Sequence, residues 1–226
     1  MKALSKIFFM MAMALPLLVG CEKDKDDADD NDNTTVINGI TYGTMTDIDG
    51  NTYKTVKIGT QTWMAENLKT TKYNDGTAIP NVTNNDTWWS STTGAYCWYN
   101  NDISNKATYG ALYNWYAVNT GKLAPKGWHV PTDAEWTTLE NYLIANGYNY
   151  DGSLSGNKIA KALASTTSTT GWSTSTEAGA IGNDLNKNNR SGFSALPGGS
   201  RYDDGFDGAG KGGYWWSSTQ TGTSRA

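Results

Sequence analysis

Hydrophobic and polar positions mark out a few short elements and one well-bounded helix. Tyr53, Val56 and Ile58 mark a strand, and residues 61–64 mark a second one beyond a turn at Gly59. The polar cluster ahead of them, residues 47–51, holds the hairpin dipeptide Asp49-Gly50. Residues 109–118 place Leu112, Trp115, Tyr116 and Asn119 at helical spacing. A helix is predicted there, against the pull of Gly110 and the aromatic content toward strand. Ala124-Pro125-Lys126-Gly127 reads as a type I turn, and residues 128–130 as a short extended piece.

The clearest helix spans residues 132–146. Thr132 and Glu135 form a capping box, Asp133 suits the positive helix end, and Trp136, Leu139 and Leu143 share one face. Gly147 is placed for the left-handed cap. A shorter helix is predicted over 157–164, with Ile159 and Leu163 one turn apart. Residues 166–176 read as an exposed Ser/Thr-rich loop around Trp172. The last third is Gly-rich, with short aromatic strands predicted at 192–196 and 214–218.

Composition narrows the class. Hydrophobic residues make up 38% and charged ones 18%, with Gly, Ser, Thr and Asn filling the difference. Ten Trp and 13 Tyr are too many rings for a disordered chain. No glycine period, heptad run or second long apolar stretch points to collagen, coiled coil or a multispan membrane protein. A net charge of −4 argues against a nucleic-acid partner.

That acidity is local. Lys2 and Lys6 precede an apolar run from residue 7 to 19, which ends Leu18-Val19-Gly20-Cys21. Residues 1–20 read as a signal peptide, and small residues before Cys21 resemble the lipobox of bacterial lipoproteins, whose Cys is acylated, with palmitate among the chains. A lipid-anchored protein of the outer membrane is expected, with the membrane as partner through Cys21. Residues 22–33 then carry seven acids and two lysines, a run that self-repels into an extended tether. This run resembles the surface-export signal of Bacteroidetes-type lipoproteins; a plain solvated spacer is the other reading. From Thr34 onward there are 14 basic and 15 acidic residues, so the single domain expected over 34–226 is nearly neutral.

Catalytic chemistry is thinly signposted. The one His, His129, is flanked by apolar residues and no Gly-x-Ser-x-Gly elbow occurs, so a catalytic triad is not expected. Glu135 is accounted for by its capping box. One His and one non-lipidated Cys cannot make a zinc site. The glycines at 208–213 lack the spacing of either common phosphate-binding fingerprint. Asp47, Asp49 and Asn51 imitate the start of a calcium loop, but the sixth position is Thr52 and the twelfth Ile58, which favours a hairpin turn.

Four segments in order carry a family resemblance. They are Trp63-Met64-Ala65-Glu66-Asn67-Leu68, the run from Gly127 through Pro131-Thr132-Asp133-Ala134-Glu135-Trp136, Gly192-Phe193-Ser194-Ala195-Leu196-Pro197-Gly198-Gly199, and Tyr214-Trp215-Trp216-Ser217-Ser218. Together they resemble the Fibrobacter succinogenes major paralogous domain, a family of bacterial surface and secreted lipoproteins without a settled activity. The Pro-Thr-x-x-Glu-Trp segment is also similar to that of formylglycine-generating-enzyme-like proteins. The resemblance implies an α+β, C-type-lectin-like fold with two helices, short antiparallel strands and long loops. The late cysteine pair of those enzymes is missing, so the resemblance carries fold without their activity, and no enzyme is expected. The family runs on past the Trp-Trp-Ser-Ser segment to a strand bearing a Cys, which implies that this chain is C-terminally truncated. It also implies a disulfide from Cys97 to a partner missing from the chain. The other reading is a free, buried Cys97 acting as a small hydrophobe.

Two candidate binding places follow. Tyr202, Asp203, Asp204 and Asp207 lie in one expected late loop, where lectin-like folds can hold calcium and a glycan; hydrogen-bonded turn aspartates are the alternative. Trp88 and Trp89 sit in a polar stretch, where they either fill the core or present a sugar-stacking ring. Adjacent side chains point apart, so at most one is expected to be exposed. Trp215 and Trp216 are read as strand core. The expected function is a non-catalytic surface module binding glycan or protein, with no cofactor unless calcium. A purely structural or adhesive module and an accessory of a cell-envelope enzyme are the alternatives.

Overall fold

The turn at residues 47–51 organises the largest sheet. In the computed structural model, which describes residues 34–167 and 171–220, Asp47 Oδ1 accepts from the N–H groups of Asp49 and Asn51, each at 2.9 Å. Its Oδ2 accepts from Asn51 Nδ2 at 2.8 Å and from the buried Tyr53 hydroxyl at 2.5 Å. The Asp47 carboxylate thus closes its own turn, as expected of a hairpin. The sheet consists of β1 (Thr35–Ile37), β2 (Ile40–Thr46), β3 (Thr52–Ile58) and β4 (Gln61–Met64), antiparallel and in chain order. β2 and β3 pair from Thr46↔Thr52 to Tyr42↔Val56. β3 and β4 lie where the alternation places them. At the middle of β3, the neighbours Thr55 and Val56 are both buried, so both faces of the strand are covered there.

Asp49, one turn position on, ties this hairpin to the chain beyond it. Its Oδ2 accepts from Thr71 N–H at 2.6 Å and Thr71 Oγ1 at 2.8 Å, and its Oδ1 lies 3.0 Å from Lys72 Nζ. Burial alone would raise its pKa; the Thr71 donors and the Lys72 ammonium outweigh that and pull it down to about 2.

The middle of the chain is short pieces: α1 (Asn85–Ser90), β5 (Tyr96–Cys97), α2 (Lys106–Tyr109), β6 (Leu112–Tyr113) and α3 (Trp115–Val118). Of the helix predicted over 109–118 only the last turn forms, as α3. Gly110 breaks it at φ +69°, and an added Cβ there would meet Leu68 O at 2.6 Å. Residues 109–111 instead dock on residues 67–68, with Ala111 N–H on Leu68 O and Asn67 Nδ2 on Tyr109 O, each at 2.9 Å. β6 then pairs with β5, Tyr96 opposite Tyr113. α1 falls in a stretch without a helical signal, capped by Asn84, whose side chain accepts from Thr87 N–H.

α4 (Asp133–Ala145) forms as its sequence demands. Thr132 and Glu135 make the full capping box, Leu139 and Leu143 are buried, and Gly147 at φ +72° ends the helix. α5 (Ala160–Leu163) is shorter than expected. The long loop beyond it is held from inside. Lys161, only 5% exposed, donates from Nζ to Ala180 O at 3.1 Å and to Asn183 O, with Ile181 O and Asp184 O beside them. Trp172 is half-buried, its indole N–H on Ala195 O at 3.2 Å.

The late strands differ from expectation. Neither 192–196 nor 214–218 is a strand; the hairpin is β7 (Gly198–Arg201) with β8 (Phe206–Ala209). The described fold is therefore α+β with small antiparallel sheets. Among the described residues, five short or medium helices replace the two that the resemblance implies, and only α4 exceeds six residues.

The core has three parts. The first joins Val56, Ile58, Trp63 and Ala65 of the sheet side to Leu139 and Leu143 of α4, with Ile159, Phe193 and Ala195. The second gathers Tyr73, Ile79, Tyr96, Trp98, Tyr113 and their neighbours. The third holds Trp88, Ala95 and Cys97. Among the described residues no helix is long and apolar enough to cross a membrane. Cys21 and the acidic stretch lie outside the described residues, so the expectations placed on them are neither met nor missed here.

Leu143 is fully buried against the sheet. Leu143→Ala is expected to lower unfolding free energy by about 2–5 kcal/mol in urea titrations. Asp49 adds a pH signature. Its folded pKa of about 2 lies below the ordinary 3.8, so its stabilisation is complete above the ordinary value and is lost as pH falls through about 2. In acid titrations of stability, Asp49→Asn is expected to be weaker than wild type at neutral pH, with the gap closing over that window.

Candidate functional site

The Trp-rich segments converge on one cleft of about 1080 Å³. Its floor is core: Trp63 of β4 packs on Trp136 of α4 at 4.8 Å between ring centroids, and Phe193 lies 5.9 and 6.2 Å from the two. The floor is apolar because it is the exposed edge of the first core cluster.

One wall is the segment 214–216, fastened by its indole N–H groups. Trp215 Nε1 donates to Asn67 Oδ1 at 3.1 Å, and Trp216 Nε1 to Tyr113 O at 2.8 Å. Trp136 Nε1 reaches Trp216 O at 3.3 Å from the floor. Spending the N–H groups on anchors leaves ring faces to meet a ligand. Trp215 is 39% exposed and stands edge-on to Phe193, so it belongs to the rim and not to a strand core, as its place in an aromatic run had implied. Trp216 is half-buried against Trp115.

The opposite wall comes from α1 and the β7–β8 hairpin, joined by Arg201. Its guanidinium lies over the Trp88 ring at 4.7 Å and the Phe206 ring at 4.9 Å. Nη1 donates to Val82 O at 2.6 Å, and Nη2 donates to Thr83 O and Asn85 Oδ1 at 2.7 and 2.9 Å. Trp88 is thereby buried at 8% exposure while Trp89, its neighbour, is 52% exposed at the cleft. The pair splits as adjacent residues must, one ring in the core and one at the surface.

Tyr202 follows β7 and is also exposed at the cleft. Asp203 and Asp204 sit on the exposed hairpin turn, where Asp203 Oδ1 accepts from Asp204 N–H at 3.0 Å. Asp207 is exposed on β8, opposite Ser200. None of these three carboxylates lines the cleft. Among the described residues, no three His, Cys, Asp or Glu side chains gather so as to hold a metal ion.

Cys97 is a free thiol, fully buried in the third core cluster. Burial pushes its pKa up, and the adjacent Arg201 offsets part of this. His129 lines the cleft with its ring 69% exposed, Nε2 lying 2.7 Å from Glu135 Oε1. Glu135 also accepts from Thr132 N–H at 2.8 Å, chiefly by which its pKa falls below the usual range. The partner that His129 has is the Glu135 carboxylate, which also serves as the helix cap.

Sequence reasoning found Trp89 and Tyr202 but missed Trp136, Tyr214 and Trp215. The repeated Trp in three of the four family-like segments was the available signal, since those segments meet here.

Residues 56–226 match the Fibrobacter succinogenes major domain. No curated protein and no solved structure matches the chain.

The Arg201 clamp yields a direct check. Arg201→Ala removes the cation between two rings and three hydrogen bonds, which is expected to loosen α1 and open the third core cluster. Cys97, buried in the wild type, is expected to resist a thiol reagent there and to react with it under native conditions in the variant.

Proposed function

The chain belongs to the Fibrobacter succinogenes major domain family, and from that footing we propose that its domain is a non-catalytic binding module that takes a glycan chain in the aromatic cleft. One observation carries the reading. Exposed aromatic rings are costly to leave in water, yet Trp89, Tyr202, Tyr214 and Trp215 all line this one cleft. Such flat rings offer stacking faces for the apolar C–H faces of sugars, and the Tyr202 and Tyr214 hydroxyls stand beside them as polar groups. The size of the cleft suits several sugar units in line.

The lipobox-like run ending at Cys21 supports attachment to the outer membrane, with the acidic tether holding the domain away from the lipid. The order of sheet, capped helix, long loop and late hairpin supports a C-type-lectin-like reading of the fold. The use of Glu135, the His129 partner, as a helix cap supports binding without turnover.

A glycan array, run with calcium and with chelator, tests this reading, followed by titration of tryptophan fluorescence. Binding that quenches fluorescence is expected, and Trp89→Ala and Trp215→Ala should each weaken it roughly tenfold, about 1.4 kcal/mol. No glycan binding by a folded sample would overturn the reading in favour of a structural or adhesive module.

A further inference from the structure

The charges around the cleft narrow its ligand further, an inference that rests on the glycan-binding reading above. Among the described residues lining it, the acidic and basic side chains are Glu66, Glu135, His129 and Arg201, and no lysine lines it. Arg201 is committed elsewhere: its Nη atoms donate to Val82 O, Thr83 O and Asn85 Oδ1, and its faces are taken by Trp88 and Phe206. Its Nε is buried. It therefore has no open edge with which to grip a carboxylate or sulfate in the bidentate way such anions require.

The two carboxylates are in a different position. Glu66 and Glu135 keep side-chain exposures of 43% and 35%. Glu66 has Lys54 N–H on Oε1 at 3.0 Å and Lys69 Nζ at 3.6 Å from Oε2, both from outside the cleft lining. Glu135 is stabilised as an anion by its capping contacts. The one imidazole, His129, is held on Glu135 at 2.7 Å, so an acidic sugar entering the cleft would meet two carboxylates and no free lysine or arginine. Like charges brought together in this way discriminate between ligands more than they alter the affinity for neutral ones.

We propose that the cleft selects uncharged glycan chains and rejects uronic-acid and sulfated ones, with Glu66 and Glu135 as the rejecting groups. The aromatic rings supply sequence-tolerant stacking, and the carboxylates set which class of chain reaches them.

The test uses the purified full chain and tryptophan fluorescence. Neutral oligosaccharides (β-linked glucose, xylose and mannose oligomers) are compared with oligogalacturonate and sulfated galactan oligomers of matched length, at low and at high salt. Neutral chains are expected to bind at least about tenfold more tightly than the acidic ones at low salt. The gap should narrow as salt screens the repulsion. Glu66→Gln keeps an acceptor for Lys54 N–H and should shift the ratio toward the acidic chains. Acidic chains binding as tightly as neutral ones would overturn this inference while leaving the glycan reading intact. A preference that neither salt nor Glu66→Gln changes would overturn it too. Binding of neither class by the folded protein would overturn both.

Discussion

The packing of Trp63 on Trp136 is the contact on which the rest depends. It joins the four-stranded sheet to the one long helix, and Phe193 closes the third side. Each ring in such a set buries a large apolar area and adds about 0.5–1.5 kcal/mol of ring–ring interaction. Because the same rings line the cleft, the floor of the site cannot move without disturbing the core. The site is rigid for the same reason that the fold is stable.

The walls are built differently. They are loops and short elements, and their positions come from polar anchors more than from burial. Three indole N–H groups, the Asn67 amide and the Arg201 guanidinium tie segments distant in sequence, across 148 residues between Asn67 and Trp215 and 116 or more between Arg201 and residues 82–85. Each bond satisfies a polar group that would otherwise be stranded beside apolar surface. This is how a chain with 38% hydrophobic residues and long loops keeps a defined cleft.

What was legible in the sequence was what local chemistry decides. The capping box at Thr132 and Glu135 bounds α4 from a few neighbouring residues, and the Asp49-Gly50 turn aligns β3 with β2. The failures share a cause. The break at Gly110 is imposed by the approach of Leu68 O, more than 40 residues earlier, which no local pattern records. The β7–β8 hairpin pairs Gly-Gly-Ser-Arg with Phe-Asp-Gly-Ala and has no hydrophobic alternation to read. Trp215 resembles a core residue in its own segment; its exposure and its tertiary contacts with Phe193 and Asn67 make it a rim residue. For the site, Trp89 and Tyr202 were visible as candidates because they stand in polar surroundings, but that they share a cleft with residues 214–215 is a tertiary fact.

Trp88 and Trp89 show how adjacent residues of this domain divide burial from exposure. One peptide bond apart, they have opposite duties: Trp88 lies under the Arg201 guanidinium in the core, and Trp89 stands at the cleft. The arginine enforces the division. A cation stacked on Trp88 and bonded to the backbone at Val82 and Thr83 fixes the rotation of α1, and that rotation turns Trp89 outward. A lysine in its place would lack the planar stacking surface and the forked donors, and the orientation of the helix would be lost with them. The positive charge nearest the rim is therefore a structural part. The cleft presents rings, one imidazole and two carboxylates, and its rim can be substituted while the clamp and the Trp63–Trp136 floor stay as they are.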